Sequence, residues 1–269
     1  MNRDAKHTTG LSKASLLGFL LVLLLSSCQT ELKLAKTFMA EQANTRVAVY
    51  FPEKAEVKVE YNTQYNMRTN VLQGFSYDLF LDVLYDAYAN GLRAYDLDVY
   101  VPEDADNVQV DSVHWLVMLS RMEISGRITE YEDYLFSDRD EFSYKIPLNT
   151  VNVASWFEIN DGEWRPVLFC EHNLIDGFDS KTDYSFWTTK FDYIYTIDTL
   201  ELKDVYNYAV YLGKLYAGYT YDYMMNSYVS EEMKRQNLDY WNQYMLRYDP
   251  YKKQLRYAEE DDRFVEIKE

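Results

Sequence analysis

The chain has 269 residues, 48% of them hydrophobic and 26% charged, and a formal charge of −17. Length and balance fit one large or two small folded domains and exclude wholesale disorder. A polyanion of this size repels phosphate backbones and anionic headgroups at long range, which argues against nucleic acid partners and polybasic membrane docking. The nearest approach to a basic run is "YKKQLR" at 251–256. Tyrosine is abundant, with 27 copies against 13 Phe and 5 Trp. Its flat ring with a polar tip suits strands and half-wet surfaces.

At the start, Arg3, Lys6 and Lys13 precede an apolar run, Leu16–Leu25, broken only by Gly18. That run has the length of a signal-peptide core and is short of the ~20 residues a spanning helix needs. It ends Leu25-Ser26-Ser27-Cys28. Small residues before a cysteine, directly after such a core, resemble the lipobox of bacterial lipoproteins. The resemblance implies cleavage after Ser27, lipid on the Cys28 sulfur and acylation of the new amine. Gln29 follows where an Asp would signal inner-membrane retention. The resemblance therefore implies an outer-membrane anchor, with the body expected to face the periplasm. Cys170 is then the one remaining thiol, so no internal disulfide is expected. The organisation expected is a signal peptide over 1–27, the lipidated cysteine and a tether over 28–44, one domain over 45–248 and a charged tail over 249–269, frayed over its last stretch, "EEDDRFVEIKE".

Within the body, "TRVAVYFP" (45–52) reads as a strand ended by Pro52. Residues 53–70 begin with strand-like alternation and turn polar. Phe75, Leu79, Phe80, Val83, Leu84 and Ala87 recur at helical steps, and Asn90-Gly91 supplies a stop, so 74–91 reads as a helix. Residues 92–102 alternate like a strand, and 111–136 reads as one long strand with a kink at Gly126. Asp161-Gly162 sits between two strand-like runs and predicts a hairpin. "YSFWTTKFDYIYTI" adds another strand. Residues 201–228 read as a helix, with Ala209, Gly213 and Ala217 forming a small-residue row suited to close packing. A further helix is expected to run to about Tyr248, before Pro250. Strands in succession with helices before and after them imply an α+β fold, an antiparallel β-meander with helices packed on one face.

The signal peptide, the strand–helix–strand start, the meander and the piece "AVYLGKLYAGYTYDY" together resemble a loose set of bacterial envelope lipoproteins, some of them auxiliary parts of transport or assembly machines. The resemblance spans roughly residues 45–228 and implies no catalytic residues.

Motifs of nucleotide, serine-hydrolase and zinc-protease sites are absent from the sequence. A zinc set could be drawn from His114, Cys170, Glu171 and His172, but no ligand spacing supports it. Cys170 and His172 would share a strand face as a thiol–base pair, although an apolar setting suits a buried, inert cysteine better. Asp176, Asp179 and Asp183 in "DGFDSKTD" lack the register of a calcium loop and read as a solvated turn. No metal or cofactor is expected. Trp156, Trp164 and Trp187 cluster around the predicted hairpin as candidate recognition aromatics. The reading is of an outer-membrane-anchored lipoprotein, not an enzyme, acting as an assembly or accessory component through envelope protein contacts. A glycan- or glycolipid-binding lipoprotein using surface Trp and Tyr is the alternative, and an envelope hydrolase the third.

Overall fold

The computed structural model describes residues 30–41, 45–51, 56–59, 61–62, 67–68, 71–100, 114–136, 141–160, 166–185, 190–238, 245–258 and 263–267. Cys28, Trp164, Trp187 and the Asp161-Gly162 turn lie outside them, as do the side chains of His114 and Asp183. The chain divides into two compact units, Asn44–Tyr221 with Asp261–Glu269, and Met1–Ala43 with Asp222–Glu260.

The larger unit is α+β. Its strands are β1 (Arg46–Tyr50), β2 (Glu56–Val59), β3 (Tyr61–Asn62), β4 (Met67–Arg68), β5 (Asp98–Tyr100), β6 (His114–Phe136), β7 (Glu141–Asn160) and β8 (Val167–Ile175). They are followed by β9 (Gly177–Ser185), β10 (Lys190–Asp198) and, close to the C-terminus, β13 (Val265–Ile267). The main sheet has the order β13-β8-β7-β6-β1-β5, with β2 also beside β6.

The expected antiparallel meander holds only in part. β6, β7, β8 and β13 pair antiparallel, whereas β1 runs parallel to both β5 and β6, and β2 runs parallel to β6. The sheet is therefore mixed. A helix between β1 and β5 makes that segment a crossover unit, whose strands must point the same way. The long strand β6 has no break in register at Gly126, which pairs with Val151; the register shift falls between Leu119 and Arg121.

Helix α2 (Tyr77–Arg93) starts where Ser76 Oγ accepts the Leu79 amide at 3.3 Å, as a helix N-cap does. Phe80, Leu84, Ala87, Tyr88 and Leu92 are buried along one face. The helix runs past the predicted stop at Asn90-Gly91 because Gly91 serves a close contact. A Cβ there would lie 2.7 Å from the Ala217 Cβ.

Helix α3 (Leu202–Arg235) supplies the other side of that contact. At Gly213 an added Cβ would stand 2.5 Å from the Leu84 carbonyl oxygen and 2.8 Å from the Tyr88 amide nitrogen. The small-residue row predicted from sequence is thus the line along which two backbones approach. Both helices cover the sheet face that carries Phe157, whose ring centroid lies 5.3 Å from Tyr216 and 6.3 Å from Tyr88. Tyr88 Oη and Thr220 Oγ1 share a buried hydrogen bond of 2.8 Å.

The smaller unit corrects three expectations. Residues 30–41, read as tether, form helix α1, with Ala35 and Phe38 buried and Phe38 against Tyr228 at 5.5 Å. The predicted helix to Tyr248 does not continue, since β11 (Leu246–Asp249) is a strand. The start of the expected tail folds back as β12 (Gln254–Tyr257), antiparallel to β11.

Side chains on α3 make the strand favourable. Asn226 Oδ1 accepts the Leu246 amide at 2.9 Å, and Asn226 Nδ2 donates to the Leu246 carbonyl at 2.7 Å. Asp222 accepts from Arg247 Nε at 2.8 Å and from the Tyr248 amide at 3.1 Å. An amide side chain mimicking a neighbouring strand satisfies buried backbone groups that a helical continuation would have paired internally. Asp249 then accepts the Tyr251 and Lys252 amides and closes the turn, and those bonds hold its carboxyl below the ordinary range.

Candidate functional site

β7 pairs with β6 from one end to the other, from Leu116↔Asn160 to Phe136↔Glu141. β8 accompanies β7 only over Thr150–Glu158, and β2 accompanies β6 only over Glu123–Gly126. Past that point the hairpin continues as a two-stranded ribbon among the described residues. One face of the ribbon is apolar: Ile146 and Leu148 are buried and Tyr131 and Tyr144 lie beside them. The opposite face holds Glu130 and Lys145 as an exposed ion pair at 3.5 Å.

A second ribbon packs on the apolar face. β9 and β10 pair antiparallel, from Gly177↔Asp198 to Ser185↔Lys190. The Tyr144 and Tyr193 rings stack at 4.2 Å, and Phe178 meets Tyr131 at 5.0 Å and Tyr195 at 6.2 Å. Two ribbons facing each other with aromatic inner faces make a small sandwich, here called the arm. Among the described residues neither edge of the β9–β10 ribbon pairs with another strand. Ile175, Ile194, Tyr195 and Tyr131 are all exposed, Tyr195 by 52%. Exposed β-branched and aromatic residues thus lie beside strand edges that pair with no further strand among the described residues.

Asp176 fixes the base of the arm. It lies at the junction of β8 and β9 and is 5% exposed. Its carboxylate accepts from the Asn149 amide at 2.7 Å, from Asn149 Nδ2 at 3.0 Å and from the Leu200 amide at 2.8 Å. The Asp176 amide in turn donates to the Asn149 carbonyl at 2.9 Å. One buried carboxylate thus ties β7, the β8–β9 junction and the segment leaving β10. In place of the solvated turn expected over 176–183, residues 177–185 form a strand and Asp176 holds backbone amides.

The chemistry-bearing residues fall elsewhere. Cys170 and His172 lie two apart on β8, as the alternation predicted. Cys170 is buried with its Sγ 4.0 Å from the Ser155 carbonyl, and burial pushes the thiol well above its usual range. A thiol held neutral and away from solvent is a poor nucleophile. His172 Nε2 lies 3.3 Å from Tyr219 Oη, and the imidazole packs near Tyr216 and Tyr219. Among the described residues no three His, Cys, Asp or Glu side chains converge as a metal set would. His114 of the zinc set and Asp183 of the calcium set have side chains outside those residues.

Of the three tryptophans singled out, only Trp156 is described. It is half-buried on the sheet face opposite Phe157. The Arg121 guanidinium sits 4.7 Å from its ring centroid, and Phe169 packs at 5.0 Å. The indole thus carries a cation over its ring and an aromatic beside it. A depression on the same side, lined by Leu116, Met118, Glu158 and Asn160, has room for about one water molecule. Sequence reasoning missed the arm. The run 184–197, expected as one strand, is divided between the end of β9 and β10.

No family model matches the chain, and no curated protein matches it significantly. Among solved structures it is similar to the crystal structure of a proposed neuraminyllactose-binding hemagglutinin homolog from Helicobacter pylori. The identity is 13% and the TM-score 0.37, over 72% of this chain and 92% of that one. A likeness at that level carries no functional argument. Among the described residues no helix is long and apolar enough to cross a membrane.

Proposed function

We propose that this is a lipid-anchored bacterial envelope protein that works through non-covalent protein contacts, held at the outer membrane by acyl chains on Cys28. The anchor rests on the charge, apolar run, small pair and cysteine at the N-terminus. The observation that carries the contact reading is the arm, whose β9–β10 ribbon pairs with no further strand among the described residues and exposes Ile194 and Tyr195. Against catalysis, the best nucleophile is buried and neutral, and the buried carboxylates Asp176 and Asp222 are taken up by backbone amides and Arg247.

The test replaces Tyr195 with a photo-crosslinking amino acid in the anchored protein and maps what it captures in native membranes. The expected result is one reproducible envelope protein, lost when Ile194→Asp is added. No reproducible protein adduct, with full function of the Ile194→Asp chain in vivo, overturns the reading. A second reading, glycan binding, rests on the exposure of Tyr131 and Tyr195 rather than on Trp156. It predicts instead that Tyr131→Ala and Tyr195→Ala abolish retention on immobilised envelope glycans.

A further inference from the structure

Helix α1 begins at residue 30, and Cys28 lies two positions before it. Two extended residues span about 7 Å at most. The helix is not slack: Ala35 and Phe38 are buried, and Phe38 packs on Tyr228. At its start Tyr257 Oη donates to Glu31 at 3.4 Å, so the end of β12 lies beside the residues that follow the cysteine. Burial raises the Glu31 carboxyl above its ordinary value. Tyr257 itself is partly exposed, with the hydroxyl-tipped ring that suits a headgroup layer.

We infer that the surface formed by the start of α1 and the end of β12 lies directly on the bilayer headgroups, with no working tether between lipid and fold. This rests on the lipid-anchor reading above. The occupant is the membrane to which Cys28 is bound, because the chain between the cysteine and the packed helix is too short to let this surface leave it. No electrostatic attraction is invoked. The covalent anchor alone sets the contact. Any protein contact made by this unit is then made at the membrane surface.

Fluorescence quenching tests it on the lipidated full chain in phosphatidylcholine vesicles carrying a headgroup spin label. Lys33→Cys and Arg256→Cys are the labelling sites, both exposed, and Arg256 is far from the anchor in sequence. Cys170 is buried and stays unlabelled in the folded chain. Strong quenching is expected at both positions. A twenty-residue Gly/Ser insertion between Gln29 and Thr30 has an r.m.s. reach of about 25 Å and should reduce quenching at Arg256→Cys at least threefold while the chain still floats with the vesicles. Weak quenching at Arg256→Cys without the insertion, in a chain that floats, overturns the inference and leaves the anchor standing. A chain that does not float at all overturns the anchor, and the inference with it.

Discussion

The helix-covered sheet and the arm use the same residue types to opposite ends. Under α2 and α3, Tyr88, Tyr216 and Phe157 are buried and ring-packed, and glycines let the helix backbones touch. In the arm, Tyr131, Tyr144, Tyr193 and Tyr195 also form a ring array, but Tyr131 and Tyr195 remain about half exposed. A helix layer removes a whole sheet face from water, whereas two narrow ribbons cover each other only along their midline. Side chains near the ribbon edges therefore stay wet. One region has its stability fixed by contact geometry. The other keeps apolar surface available for something else.

The largest expected effect is in the helix layer. Gly213→Leu forces a side chain into the Leu84 carbonyl and the Tyr88 amide, which are backbone atoms that cannot rotate away. A loss of about 3–5 kcal/mol is expected by urea unfolding. Tyr211→Ala on the exposed face of the same helix should change stability by less than about 0.5 kcal/mol. Equal effects from the two would mean the helices are not in backbone contact.

Asp176→Ala should come next, at about 2–3 kcal/mol, since it leaves the Asn149 and Leu200 amides without their carboxylate. The loss should be local. Hydrogen exchange should quicken in β9 and β10 while β1 and the core of α2 keep their protection. Uniform loss of protection would show that the arm and the sheet open as one unit.

This junction also marks where sequence reading stopped working. Helices α2 and α3 were legible because their apolar faces recur at helical spacing, and the row Ala209, Gly213, Ala217 was legible as a packing line. Gly91 misled because its sequence position fits a helix stop, while its role depends on Ala217, far along the chain. Asp176 was read as a turn residue because its partners, Asn149 and Leu200, are distant in sequence. The β11 strand was hidden for the same reason: Asn226 and Asp222 supply its hydrogen bonds from α3. Local periodicity finds the faces of elements. It does not find polar side chains that stand in for a neighbouring strand.

Tyr88→Phe should cost about 1 kcal/mol by removing the buried bond to Thr220. It also probes alkaline unfolding. Burial raises the Tyr88 phenol far above its ordinary value, so the neutral form is the one the fold stabilises. That contribution is full below the ordinary phenol pKa of about 10 and is lost as pH rises toward the folded value. The wild-type chain should lose stability steeply above pH ~10. Tyr88→Phe should lessen that slope. Identical slopes in wild type and Tyr88→Phe would place the alkaline transition on other groups.

The functional effect is expected to be largest where the effect on stability is small. Ile194 and Tyr195 are about half exposed on β10, so Ile194→Asp forfeits little burial and should shift unfolding by under about 1 kcal/mol. An added carboxylate beside an open strand edge opposes pairing with any incoming strand, which is how natural sheets protect their edges. The variant should fold, keep its near-native unfolding midpoint and lose the crosslinked partner. The reverse pattern, a large loss of stability with the partner retained, would mean that β10 belongs to the packed interior and that the arm is simply a second small core.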